Sequence, residues 1–127
     1  MIGFPTSSDI YLECDGKRVA VVQSYKVLTQ RKEKVIEAFG EPEPVATIAS
    51  QTNYRLELTR LYATDQAISD GISFYDLSGF SLVIVKPDRR VIYSDCQWSE
   101  IAEDGQLSEM VAERITLLAT SRVETAL

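Results

Sequence analysis

The stretch from Arg18 to Gly40 limits the folds open to this chain more than any other part of it. It reads Arg-Val-Ala-Val-Val-Gln-Ser-Tyr-Lys-Val-Leu-Thr, crosses a charged knot at Gln30-Arg31-Lys32-Glu33-Lys34, and resumes as Val35-Ile36-Glu37-Ala38-Phe39-Gly40. Side chains of a strand alternate between its two faces. Val19, Val21, Tyr25 and Val27 therefore share one face, and Ala20, Val22 and Leu28 share the other. Apolar residues on both faces predict a strand covered twice, by the chain's own core and by something else. No catalytic residue type is concentrated here, so the segment reads as architecture.

The remaining pattern is also mostly that of strands. Met1–Ser8 reads as a flexible N-terminal arm, and Asp9–Glu13 as a short strand. Cys14-Asp15-Gly16-Lys17 closes a tight hairpin, because Asp-Gly supplies the positive φ such turns need. Tyr54-Arg55-Leu56-Glu57-Leu58-Thr59 alternates, with Tyr54, Leu56 and Leu58 inward, and the pattern slips at Arg60-Leu61-Tyr62, as at a bulge or a strand end. Thr64 or Asp65 caps a short helix over Asp65–Asp70 that Gly71 ends. Ile72–Leu77 reads as a helical turn or an irregular crossing. Phe80–Lys86 and Arg90–Trp98 form a hairpin joined at Pro87-Asp88-Arg89. For residues 107–121 the spacing fits helix and strand about equally well. Between Phe39 and Asn53, Pro42 and Pro44 forbid a central strand. Gly40–Thr52 therefore reads as a loop, and its apolar Val45 and Ile48 mark it as one that docks on something. The fold class that results is mainly β: a sandwich or half-open barrel of about six to eight strands, with one short α-helix on its flank.

A chain of 127 residues makes one domain with a single core. Its formal net charge of −6 argues against a surface that grips nucleic acid, which needs clustered Lys and Arg. Histidine is absent, so Ser-His and Cys-His nucleophile pairs and His-rich metal sites are excluded. No glycine-rich phosphate loop occurs. The paired carboxylates Glu41/Glu43 and Glu103/Asp104 fall in expected loops, where acid catalysis lacks the burial it requires. Catalytic, metal and cofactor assignments are accordingly none. Cys14 and Cys96 are too few and too far apart for a disulfide framework and read as free thiols. No secretory signal and no apolar run near the ~20 residues of a membrane span are present, so the product is expected to be cytosolic when made, with no membrane partner. Tyr25, Tyr54, Phe80, Tyr93 and Trp98 read as core or sheet-face residues.

Gln23-Ser24 in a strand, Arg31-Lys32-Glu33-Lys34-Val35-Ile36 after it, then Gly40 and Pro44, resemble the N-terminal half of small phage tail-tube proteins. The hairpin at 80–98 and the exit Arg114-Ile115-Thr116-Leu117-Leu118-Ala119 continue the resemblance, which covers most of the chain. It implies a strand rather than a helix near the C-terminus. It further implies a virion structural protein, assembled in the bacterial host cytoplasm as a ring of six copies that stack into a tube conducting DNA or other cargo without binding it specifically. Sheath and baseplate proteins are the further partners implied. In such proteins a loop here reaches the neighbouring subunit and ring. That role transfers to Gly40, Glu41, Pro42, Glu43, Pro44, Val45 and Ile48. The basic run Arg31, Lys32 and Lys34 then meets acidic residues of the next subunit, Glu41 or Glu43; read alone, it guards an exposed strand edge against aggregation. A non-catalytic β-domain that binds a small ligand or peptide is the alternative.

Overall fold

The structure, a computed structural model, describes residues 3–63 and 70–127. Among the described residues eight strands run in chain order: β1 (Tyr11–Cys14), β2 (Lys17–Arg18), β3 (Val22–Ile36), β4 (Ala46–Leu61), β5 (Phe80–Val85), β6 (Arg89–Asp104), β7 (Ala112–Ala119) and β8 (Ser121–Ala126). All pair antiparallel in the order β2-β1-β5-β6-β7-β4-β3, with β8 also on β6. The mainly β class expected from the sequence is the class observed. Of the expected helix Asp65–Asp70, only Asp70 falls within the described residues. Among those residues the one helical piece is a 3₁₀ turn at Phe74–Asp76.

β6 belongs to two sheets. Its first half pairs β5 and β8, and its second half pairs β7. The join lies at Asp95, a non-glycine residue at φ 53. There the pairing with β5 jumps from Phe80↔Cys96 to Leu82↔Tyr93. A bulge of this kind bends a strand and raises its twist, which is how one strand turns a corner between sheets. The core fills the angle between the sheets. Leu12, Phe80, Leu82, Ile84, Val91 and Tyr93 face Leu56, Leu58, Ile115 and Leu117, all at 3 % exposure or less.

Local chemistry accounts for the turns. Asp15 and Gly16, at φ 48 and 85, close the β1–β2 hairpin. The Asp15 carboxylate also accepts a 2.9 Å bond from the Ser81 N–H, tying that turn to β5. Residues 112–119 are a strand, with Ile115, Leu117 and Ala119 buried on one face. The central strand starts later than the alternation implies. Val21 stands at φ 53 and the register shifts between Val22 and Ser24, so the run from Val19 is broken before β3 begins.

The expected loop Gly40–Thr52 needs a larger correction. Residues 46–52 are strand, paired to β3 from Ile36↔Ala46 through Arg31↔Thr52. The prolines end at Pro44, and immediately after it the Val45 N–H bonds the Ile36 carbonyl at 2.9 Å. The loop shrinks to a turn between Ile36 and Ala46. Its tip is closed by the Glu41 N–H on the Ala38 carbonyl, with Gly40 at φ 81, the position of a four-residue turn that requires positive φ.

Both thiols are buried and free, Cys14 at 2 % and Cys96 at 0 % exposure. Burial pushes Cys14 up from 9.0 to about 12 and Cys96 to about 11. A thiol that resists ionising in the folded state stabilises the fold below its unfolded pKa. That contribution is lost as pH rises from about 9 toward 11–12. Urea unfolding midpoints should therefore fall steadily above pH 9, and the fall should be shallower in the Cys14→Ala/Cys96→Ala variant. A thiol reagent should label neither cysteine of the native protein at pH 8, and both in denaturant.

Candidate assembly surfaces

β4 pairs β7 only from Tyr54 to Leu61. Beyond Tyr54, the outer part of the β3–β4 hairpin pairs with no other strand among the described residues. From Gln30↔Asn53 to Ile36↔Ala46 it is a two-stranded arm, roughly 20 Å long at ~3.4 Å per residue. One residue, Ser50, is skipped in the register between Lys32↔Gln51 and Glu33↔Ala49, adding twist. A lone two-stranded ribbon is at best marginally stable in water. This one also exposes apolar side chains at its end: Phe39 at 108 %, Val45 at 56 % and Val35 at 49 %. Where the arm leaves the body, a cleft of about 470 Å³ opens between its base and the β5–β6–β8 sheet, lined by Val27, Tyr54, Lys86, Tyr93 and Arg122 among others.

The residues singled out in the sequence fall on this arm. Arg31 and Lys32 are exposed on β3, Lys34 lies beyond them in the same strand, and Ile48 lies in β4. Gly40, Glu41, Pro42, Glu43, Pro44 and Val45 make up the tip and are all exposed. Arg31 and Lys32 are cross-strand partners of Thr52 and Gln51 within their own copy. The carboxylates Glu103 and Asp104 lie in β6 rather than in a loop. Phe80 and Tyr93 are core, as expected, while Trp98 is 39 % exposed and meets Tyr75 edge-on at the surface.

One cluster was not foreseen. Arg60, at the end of β4, lies 3.0 Å from Asp70 and 3.1 Å from Glu113, with side chains 12 %, 9 % and 15 % exposed respectively. It also donates to the Ile72 carbonyl at 2.7 Å and lies over the Phe74 ring. Asp70 in turn accepts bonds from the Ala20 and Ile72 N–H groups, both at 2.8 Å. One guanidinium thus fastens the segment at 70–74 to β4, to β7 and to the approach to β3. The signal in the sequence was the arginine where the Tyr54–Thr59 alternation slips, but its acidic partners are 10 and 53 residues away and carry no local mark. Among the described residues no group of His, Cys, Asp or Glu is arranged to hold a metal ion.

No protein-family model and no curated protein matches the chain. Solved structures do, over nearly its whole length. The SPP1 tail tube superposes with a TM-score of 0.70 at 11 % identity, covering 96 % of this chain and 79 % of that one. The tail of the empty gene transfer agent particle, determined with C6 symmetry, gives 0.68 at 8 % identity over 98 % and 99 %. The sheath/tube terminator of the extracellular contractile injection system PVC, in its extended state, gives 0.68 at 10 % identity over 99 % and 100 %. The fold implied by the resemblance in the sequence is the fold of this chain: that of tail-tube and tube-terminator proteins.

Removing Arg60 leaves two carboxylates unpaired where little water reaches. Breaking a buried pair in this way costs about 3–5 kcal/mol. Arg60→Ala should lower the unfolding free energy by that order in chemical denaturation. Arg55→Ala, which loses only an exposed pair with Glu57 at 3.2 Å, should change it by less than about 1 kcal/mol.

Proposed function

We propose that this chain is a structural subunit of a phage or phage-like tail, self-assembling into rings that stack as the inner tube or end it as a terminator. The observation that carries the reading is the arm. A body with its own closed core extends a ribbon that cannot bury its apolar tip or support itself. A neighbouring copy supplies what is missing. The tail-tube fold supports the same reading, as does the sixfold symmetry of a matching assembly.

In the assembly, six copies form a ring by heterologous contacts, and such contacts propagate from ring to ring. Gly40, Glu41, Pro42, Glu43, Pro44, Val45 and Ile48 dock on the adjacent subunit or ring. Arg31, Lys32 and Lys34 lie along the arm's contact with it. The β3–β4–β7–β6 sheets of successive copies join side to side, which removes open edges as barrels do. The face turned to the lumen carries cargo without holding it, consistent with a chain of net charge −6 that repels DNA. Sheath and baseplate proteins are the outer partners, the virion tail is the final location, and assembly takes place in the host cytoplasm.

Negative-stain electron microscopy with light scattering, across a concentration series, tests this. Wild-type protein should give rings with a central hole or stacked tubes. A variant in which residues 31–51 are replaced by Asn-Gly should keep its thermal transition within a few degrees and lose the rings. Wild-type protein that is monomeric at every concentration, or a shortened variant that still forms rings, would count against the proposal.

A further inference from the structure

The four-stranded sheet β3–β4–β7–β6 ends in two edges. Among the described residues no strand pairs with the outer side of β3, and none with the outer side of β6 beyond Cys96. The two edges carry opposite charge. Where β3 borders the four-stranded sheet its one charged residue is Lys26, and its continuation along the arm adds Arg31, Lys32 and Lys34 against the single acid Glu33. From Asp95 through Glu113 the chain has six carboxylates and no lysine or arginine; Glu100, Glu103 and Asp104 lie on β6 itself, all exposed. The opposition is also level. Following the pairing across the sheet, Lys26↔Glu57, Glu57↔Thr116 and Glu100↔Thr116 form one cross-strand row on the face away from the core. A basic residue thus starts the row and an acidic residue ends it.

Direction matches charge. With an even number of antiparallel strands, β3 and β6 run opposite ways, so copies related by rotation bring β3 against the next copy's β6 as another antiparallel pair. A symmetric dimer would instead set β3 against β3 or β6 against β6. Those pairings place like charges directly opposite, which destabilises a sheet contact.

We infer that the opposite charges of these two edges dictate which surfaces meet: Lys26 on the β3 edge of one copy faces Glu100 on the acidic β6 edge of a second copy, and the same charges bar two-fold dimers. This rests on the ring reading and deepens it by naming the two surfaces and the rule that joins them. The contact is heterologous, with each copy offering one edge of each sign, so association continues until a ring closes. Being exposed, the pairs are screened by salt. Ring formation is therefore favoured at low ionic strength.

Two charge-reversed variants test the rule. Lys26→Glu sets an acid against Glu100 of the next copy, and Glu100→Lys sets a base against its Lys26. Each alone should need at least about tenfold more protein to assemble than wild type, since like-charge contacts across an interface cost several kcal/mol. Mixed one to one, they should assemble near the wild-type concentration, alternating around the ring. Recovery on mixing also shows that each variant folds, and sedimentation in low and high salt follows all three samples. Wild-type rings, with each variant assembling alone as readily as wild type, would overturn the edge rule and leave the ring reading intact. Variants that stay apart when mixed, although their thermal transitions match wild type, would overturn the rule as well. A wild-type chain that stays monomeric even in low salt would overturn both.

Discussion

The bend in β6 at Asp95 is the constraint on which the rest of the molecule depends. Sixteen residues of one strand serve two sheets, and only a break in register lets a strand change direction without losing its ladder. The core exists because that bend sets the two sheets at an angle and brings Leu82 and Tyr93 over Leu56 and Leu117. The same bend leaves the second half of β6 without a β5 partner, which creates the acidic edge. One local irregularity thus produces both the hydrophobic interior and an unfinished margin.

Arg60 plays the complementary part on the other side of the body. The segment at 70–74 carries only one fully buried apolar residue, Phe74 at 0 %, which is little to fasten a crossing connection. Satisfying a guanidinium with two carboxylates, a carbonyl and an aromatic face fixes that connection more specifically than packing alone. Replacing any one partner leaves the others desolvated and unmatched, so the cluster behaves as a unit.

Much of this was legible in the sequence, and the failures have physical causes. Alternation found the second half of β4, β5 and the first half of β6, because one face of each is buried. Asp15-Gly16 found the first hairpin, because positive φ restricts residue choice. Residues 46–52 were lost to the loop because Pro42 and Pro44 were allowed to speak for residues beyond them, although a proline removes only its own N–H and restrains only its immediate predecessor. The two-sided apolar content of β3 was informative in an unforeseen way. Val27 packs toward the core, but Leu28 on the other face stays 41 % exposed, so the second cover belongs to nothing within the described residues of one copy. The arm's tip residues were identified by their unusual composition. The edge charges and the Arg60 cluster depend on pairing between distant segments, which no local pattern encodes.

The arm also has a metric property. Its two strands are held by their own ladder, and face alternation repeats every two residues, so its length changes without disturbing the body only in whole two-residue steps. Each step moves the tip by ~7 Å and restores the same side chains to the same face. A single inserted residue would instead turn every later side chain over. Reach is therefore counted in discrete units, set by the ribbon alone, while the body keeps one geometry.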